Sequence, residues 1–281
     1  MKIGIGTYAL FWEFEARNPS PLSIAGMIDR AAELDCEVFQ ICDDPRLEEL
    51  DDEALRALRD RAELLGVELE LGTRTVGREH LARFIRRAEL LGARTLRSMI
   101  QSQEIAAGVP AVAEELAASV PALEAASVTL ALETYEQIPT ATLLEVIDLV
   151  GSPRIGVCLD PANCVSALEH PRQVVEACAT RTANLHVKDF AFARQEGWVG
   201  FTYSGAPLGD GLLDLDHELS SVYGADGGAV SGASSAPSAI VEHWLPWQGD
   251  LPATLALERA WTDRTLAALR DWRATHRPSA R

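Results

Sequence analysis

Short apolar runs alternate with amphipathic helical stretches along the whole chain, and the alternation repeats eight times. Two of the helical stretches close on the same tripeptide, Leu64-Leu65-Gly66 and Leu90-Leu91-Gly92, and each hands over directly to a strand pattern. Glycine just past a helix supplies the left-handed residue that ends it, so these closures mark a repeating β–α unit. Strands are predicted at Lys2–Tyr8, Glu37–Cys42, Val67–Leu71, Arg94–Ile100, Val128–Glu133, Ile155–Asp160, Thr182–His186 and Ala239–Glu242. The helices between and after them are predicted at Ser20–Leu34, Asp51–Leu65, Arg78–Leu91, Val109–Ala126, Thr140–Val150, Pro171–Cys178, Leu212–Val222 and Leu251–Arg273. That count predicts an α/β fold, a single (β/α)8 barrel over residues 1–275, with 276–281 as a disordered tail. The rhythm breaks once, in the long segment Phe190–Gly211 with Trp198, Phe201 and Tyr203, and Gly224–Ser238 reads as a mobile loop.

The last four strands share a further property. Their apolar runs end at Glu133, Asp160, His186 and Glu242, each a residue able to bind a metal. In a barrel of this kind the active site lies at the carboxyl ends of the strands, so the four endings are expected to meet there. Strand side chains alternate faces, so Lys188 is expected to share the face of His186. The same parity points Arg97, near the end of the fourth strand, at the barrel mouth. Cys158 lies deeper in its strand and reads as core.

The chain carries 42 acidic against 25 basic residues, a net charge of −17, which argues against a nucleic acid or anionic membrane as partner. Five cysteines without CxxC spacing suggest reduced thiols in a cytoplasmic protein. No apolar run is long enough to span a bilayer, and no signal-peptide layout opens the chain.

Two glutamates, one aspartate and one histidine make a mixed oxygen and nitrogen donor set. It suits one hard or borderline divalent ion: Mn2+ before all, with Mg2+, Co2+ and Zn2+ as alternatives. Such an ion polarises a carbonyl and stabilises an enediolate, while carboxylates on opposite sides of the substrate remove and return a proton. Glu133 and Glu242 are the candidate catalytic pair. Tyr8 and Trp12 on the loop after the first strand, Arg97, Asn163, Lys188, Arg194 and His243 are candidate substrate-binding residues.

Five motifs resemble the xylose-isomerase-like barrels, particularly the sugar phosphate isomerase/epimerase group. They are Leu132-Glu133-Thr134, Leu159-Asp160-Pro161-Ala162-Asn163, Leu185-His186-Val187-Lys188-Asp189, Pro207-Leu208-Gly209-Asp210-Gly211 with Asp214, and Val241-Glu242. The resemblance implies one divalent metal on Glu133, Asp160, His186 and Glu242, with the two glutamates also serving as the acid/base pair of a ketose epimerase. It implies that Gly209-Asp210-Gly211 is a structural turn and no phosphate cradle. Two positions depart from the 3-epimerases of that group: Asn163 stands where they carry a histidine, and Phe192 where they carry an arginine.

The expected function is therefore a metal-dependent isomerase or epimerase of a ketose or related sugar or polyol. The alternative is a metal-dependent dehydratase/lyase of a keto-polyol or 3-oxo sugar, in which the same enolate expels a β-hydroxyl, resembling inosose or 3-dehydroshikimate dehydratases. By analogy with the group, a homo-dimer or homo-tetramer is expected.

Overall fold

Strand β1, Lys2–Gly6, buries four of its five residues and pairs in parallel with β2, Val38–Cys42, on one side. On its other side lies β10, Ser238–Val241, the last strand of the chain, and this pairing closes the sheet. The remaining staves are β3 Glu68–Gly72, β4 Thr95–Ser98, β5 Thr129–Glu133, β6 Ile155–Leu159 and β7 Thr182–Val187, all in parallel register. The result is a closed eight-stranded barrel ringed by helices, in a computed structural model that describes residues 1–224 and 236–276. Residues 277–281 of the expected tail, and most of the expected mobile loop at 224–238, lie outside the described residues. No described helix is long and apolar enough to cross a membrane.

Several helices stand where the sequence puts them. The Asp51 side chain accepts from the Ala54 N–H to open Asp52–Leu65, and Gly66 closes it at φ 72°. Arg78–Leu91 ends in the same manner on Gly92 at φ 70°. The expected helix Val109–Ala126 is two, Val109–Ala117 and Val120–Ala126, because Pro121 cannot donate to the preceding turn and so starts a new helix. The first strand stops at Gly6, and Tyr8 and Trp12 lie on helical turns, Thr7–Leu10 and Phe11–Phe14, instead of an open loop.

The break in rhythm after β7 is a hairpin. Strands β8, Phe190–Arg194, and β9, Phe201–Gly205, pair antiparallel outside the barrel, with Trp198, Val199 and Phe201 exposed near its tip. Asp189 fastens its base. Its Oδ1 accepts from the Phe190 and Leu213 N–H groups, and its Oδ2 from those of Gly209 and Gly211. A carboxylate of the chain itself thus fills the place of a bound anion. Gly209 sits at φ 87°, and a Cβ on Gly211 would come within 2.1 Å of Asp189 Oδ1. Asp189→Asn sets an NH2 against two donors that need an acceptor, and it should cost about 2–3 kcal/mol. The urea midpoint measures it; a midpoint equal to wild type would refute the account.

Candidate metal centre and pocket

His186 is the hub of the barrel mouth. Its Nε2 lies 2.8 Å from Gln40 Oε1, and Gln40 is not free to turn round. The amide Nε2 of Gln40 already donates to Glu70 Oε2 at 3.0 Å and to Asn184 Oδ1 at 2.9 Å. Gln40 therefore offers His186 an acceptor, which places the ring proton on Nε2 and leaves Nδ1 as a lone pair. Glu70 is itself held by Ser238 Oγ and Asn184 Nδ2, and burial raises its pKa above the usual carboxylate value. A polar plug inside the barrel thus sets the tautomer of one histidine, as hydrogen-bonded partners do behind metal-bound imidazoles.

Around Nδ1 stand three carboxylates. Glu133 Oε1 is 3.3 Å away, Glu242 Oε2 3.5 Å and Asp160 Oδ2 3.7 Å, all of them buried. Ligand atoms of Glu133, Asp160 and His186 fall within 4.8 Å of one another, a group that could hold a metal ion. His186 Nδ1 is buried without a hydrogen-bond partner, and the polar atoms nearest to it on this side are the three carboxylate oxygens. A buried nitrogen lone pair ringed by carboxylate oxygens fits a cation. The electrostatics agree. Burial alone would lower the pKa of His186, but Cys158, Glu242 and Asp160 outweigh it and raise the ring well above its ordinary value. A proton on Nδ1 and a divalent ion answer the same negative field.

Local sequence explains why these side chains converge. Asp160 ends β6 as an N-cap: its Oδ1 accepts from the Ala162 and Asn163 N–H groups, turning Oδ2 toward His186. Thr134, next to Glu133, donates to Asp160 O and accepts from Asp160 N, which ties the ends of β5 and β6 together. Asn163 then bridges the site: its Nδ2 donates to Glu133 Oε1 at 3.0 Å and its Oδ1 faces Lys188 Nζ at 3.4 Å.

Two buried cations complete the centre. Arg97 Nη2 stands 2.5 Å from Glu133 Oε2 in an ion pair, and its Nη1 donates to Asp43 and to Thr73 O. Lys188 Nζ lies 2.7 Å from Asp160 Oδ2 and 3.4 Å from Glu242 Oε2, with the Trp244 ring 4.2 Å away. Burial works against the charge of Asp160, but Lys188 and His186 outweigh it and pull its pKa down to about 2. Burial also opposes the charge of Lys188; the carboxylates win and raise its pKa.

A cavity of about 230 Å³ opens over this cluster, lined by Tyr8, Arg97, Glu133, Asn163, Lys188 and Glu242 among the expected residues. Three other expected residues stand off it. His243 follows Glu242 and so faces the other side of the strand, where it meets Thr262 Oγ1 at 3.2 Å; burial and Lys188 lower its pKa to about 3. Trp12 is packed with Leu245 and Trp261 and donates its indole N–H to Leu245 O. Arg194 lies on the exposed hairpin with its guanidinium 4.3 Å over Phe201. The lining also holds Asp43, Arg74, Met99, Tyr135, Glu136 and Ser166, none of them expected there from sequence, with Tyr203 from the aromatic segment that breaks the rhythm and Trp244 just past Glu242. Asp43 carried a signal, an acid just past Cys42 at the end of β2. Gln40 carried another, a polar residue inside an apolar strand.

The family model for xylose isomerase-like TIM barrels matches residues 28–225. The chain is 47% identical over 271 residues to a 3-oxo-isoapionate decarboxylase of Pectobacterium atrosepticum, covering 95% of this chain and 94% of that protein. Among solved structures it resembles a D-psicose 3-epimerase determined in the presence of D-fructose, with TM-score 0.69 and 14% identity over 97% of this chain and 98% of that one. It also resembles the IOLI protein with a bound zinc atom, with TM-score 0.67 and 14% identity over 95% and 99% of the two chains. At that identity the two structures speak for the fold alone, which the closed eight-stranded barrel already displays. With the family model spanning most of the barrel and a relative of nearly equal length at 47% identity, the chain belongs to the xylose isomerase-like TIM barrel family.

Proposed function

We propose that the chain is a divalent-metal-dependent lyase that decarboxylates a 3-oxo sugar acid, 3-oxo-isoapionate or a close analogue. The observation that carries this reading is that both glutamates an epimerase needs as bases are already engaged. Glu133 is gripped by Arg97 and Asn163, and Glu242 faces Lys188. An epimerase must take a proton on one face and return one on the other, so two paired carboxylates serve it poorly. Decarboxylation needs no base. The bond from the carboxylate to its neighbouring carbon breaks, the electron pair stays on that carbon as an enolate, CO2 leaves, and one proton from water completes the product. The 47% identity to a decarboxylase of almost the same length supports the same class.

Glu133, Asp160, His186 and Glu242 are the residues that would hold the ion. Bound there, it supplies a Lewis acid that polarises the 3-oxo group and stabilises the negative charge left as CO2 departs. Lys188 and Arg97 keep two fixed positive charges beside the same place, in a site shielded from water where such charges act strongly. Asn163 holds Glu133 and Lys188 in register, a task for an amide that donates and accepts at once.

The test is CO2 release from 3-oxo-isoapionate by Mn2+-loaded protein, with loss on chelation and return on adding Mn2+. A protein that released no CO2 but exchanged a ketose C–H proton in deuterated water would be an epimerase after all.

A further inference from the structure

Among the described residues the pocket holds three cations, Arg74, Arg97 and Lys188, and they differ in what they are free to do. Arg97 and Lys188 have side chains 4% and 3% exposed and are spent on the buried carboxylates. Arg74 is at the mouth, with its side chain 59% exposed. Its Nε pairs with Asp43 Oδ2 at 3.3 Å and its Nη2 donates to Tyr8 Oη at 3.1 Å, while Nη1 makes no hydrogen bond among the described residues.

The backbone is bent to hold it there. Thr75, the next residue, adopts φ 71°, and Asp43, its ion-pair partner, adopts φ 53°. Left-handed backbone is uncommon outside glycine and is a genuine outlier for a β-branched residue such as threonine. Thr75 is kept in it by its N–H donating to Met99 O and by Ser98 Oγ donating to its carbonyl. Tyr8 is steadied in turn by donating to Asp43 Oδ2 and by lying parallel to Phe11. A guanidinium fixed from two sides and open on the third suits a carboxylate, which it can meet through two N–H groups. In a chain of net charge −17 an anionic substrate needs such a local cation to enter.

We infer that Arg74 is the residue that reads the substrate's carboxylate and makes the pocket select a sugar acid over the neutral sugar or polyol of the same length. The inference rests on the decarboxylase reading for the choice of acid, but its test does not depend on turnover. Calorimetric titration of Mn2+-loaded protein with threonate and with threitol, a four-carbon sugar acid and its neutral polyol, gives an acid-to-polyol affinity ratio. That ratio should be well above one in wild type, fall about tenfold in Arg74→Gln and stay between the two in Arg74→Lys, at unchanged metal content. A ratio near one in wild type, or one that Arg74→Gln leaves unchanged, overturns it. If 3-oxo acids release no CO2 and the ratio still collapses in Arg74→Gln, the decarboxylase reading falls and the role of Arg74 stands. CO2 release with an indifferent ratio does the reverse.

Discussion

His186→Ala is expected to lose the divalent ion and to lower turnover about 10³-fold, since Lewis-acid stabilisation is worth several kcal/mol and each 1.4 kcal/mol is a decade in rate. Imidazole Nδ1 is the one nitrogen of the donor set, and it stands at the centre of the three carboxylates. Alanine removes it and leaves Gln40 Oε1 with the Cys42 thiol as its one remaining donor among the described residues. Activity alone would not separate a lost ligand from a damaged barrel, so the decisive readings are metal content and metal-linked stability. An ion that binds only the folded chain stabilises it by about 4 kcal/mol when present at 1,000 times its Kd. Wild type should carry about one ion per chain and gain Tm with Mn2+; His186→Ala should do neither. A variant that retains both would remove His186 from the site.

Much of this centre could be read from residue order, for a geometric reason. In a parallel barrel the end of every strand comes to one rim, and side-chain parity decides which residues point inward. Glu133, Asp160, His186 and Glu242 end their strands, and Arg97 and Lys188 share the inward parity, so six residues scattered over more than a hundred positions were predicted to meet. His243 obeys the same rule from the other side: as the neighbour of inward-facing Glu242 it had to face outward, toward Thr262. Gln40 and Glu70 were legible only as interruptions of apolar strands, because their meaning lies in each other, 30 residues apart. Asp43 and Arg74 escaped notice since their placement depends on left-handed backbone at Asp43 and Thr75 that no local pattern announces. The hairpin at Phe190–Gly205 was visible only as a break in rhythm. Its pairing is fixed at the base by four N–H groups converging on Asp189, and that convergence is tertiary.

Arg97→Met is expected to destabilise the metal-free protein by about 3–5 kcal/mol, the scale for breaking a buried ion pair by removing one partner. The guanidinium spans two carboxylates, with Nη2 at 2.5 Å from Glu133 and Nη1 at 3.2 Å from Asp43. Arg74 still covers Asp43 at 3.3 Å, so the charge left unanswered is mainly that of Glu133. Arg97→Lys keeps the charge without the planar fork and should recover part of the loss. Urea unfolding in EDTA measures both, and an Arg97→Met variant within about 1 kcal/mol of wild type would contradict the assignment, since ordinary surface changes already reach half that. Mn2+ sharpens the test. If Glu133 is a ligand, a bound ion takes over the charge that Arg97 left behind, and the deficit of Arg97→Met should shrink as Mn2+ is added. His186→Ala has no such recourse, because the group it lacks is the one that holds the ion. Rescue of the first variant and not the second would mean that Glu133 stands between two cations, one built into the chain and one supplied from outside.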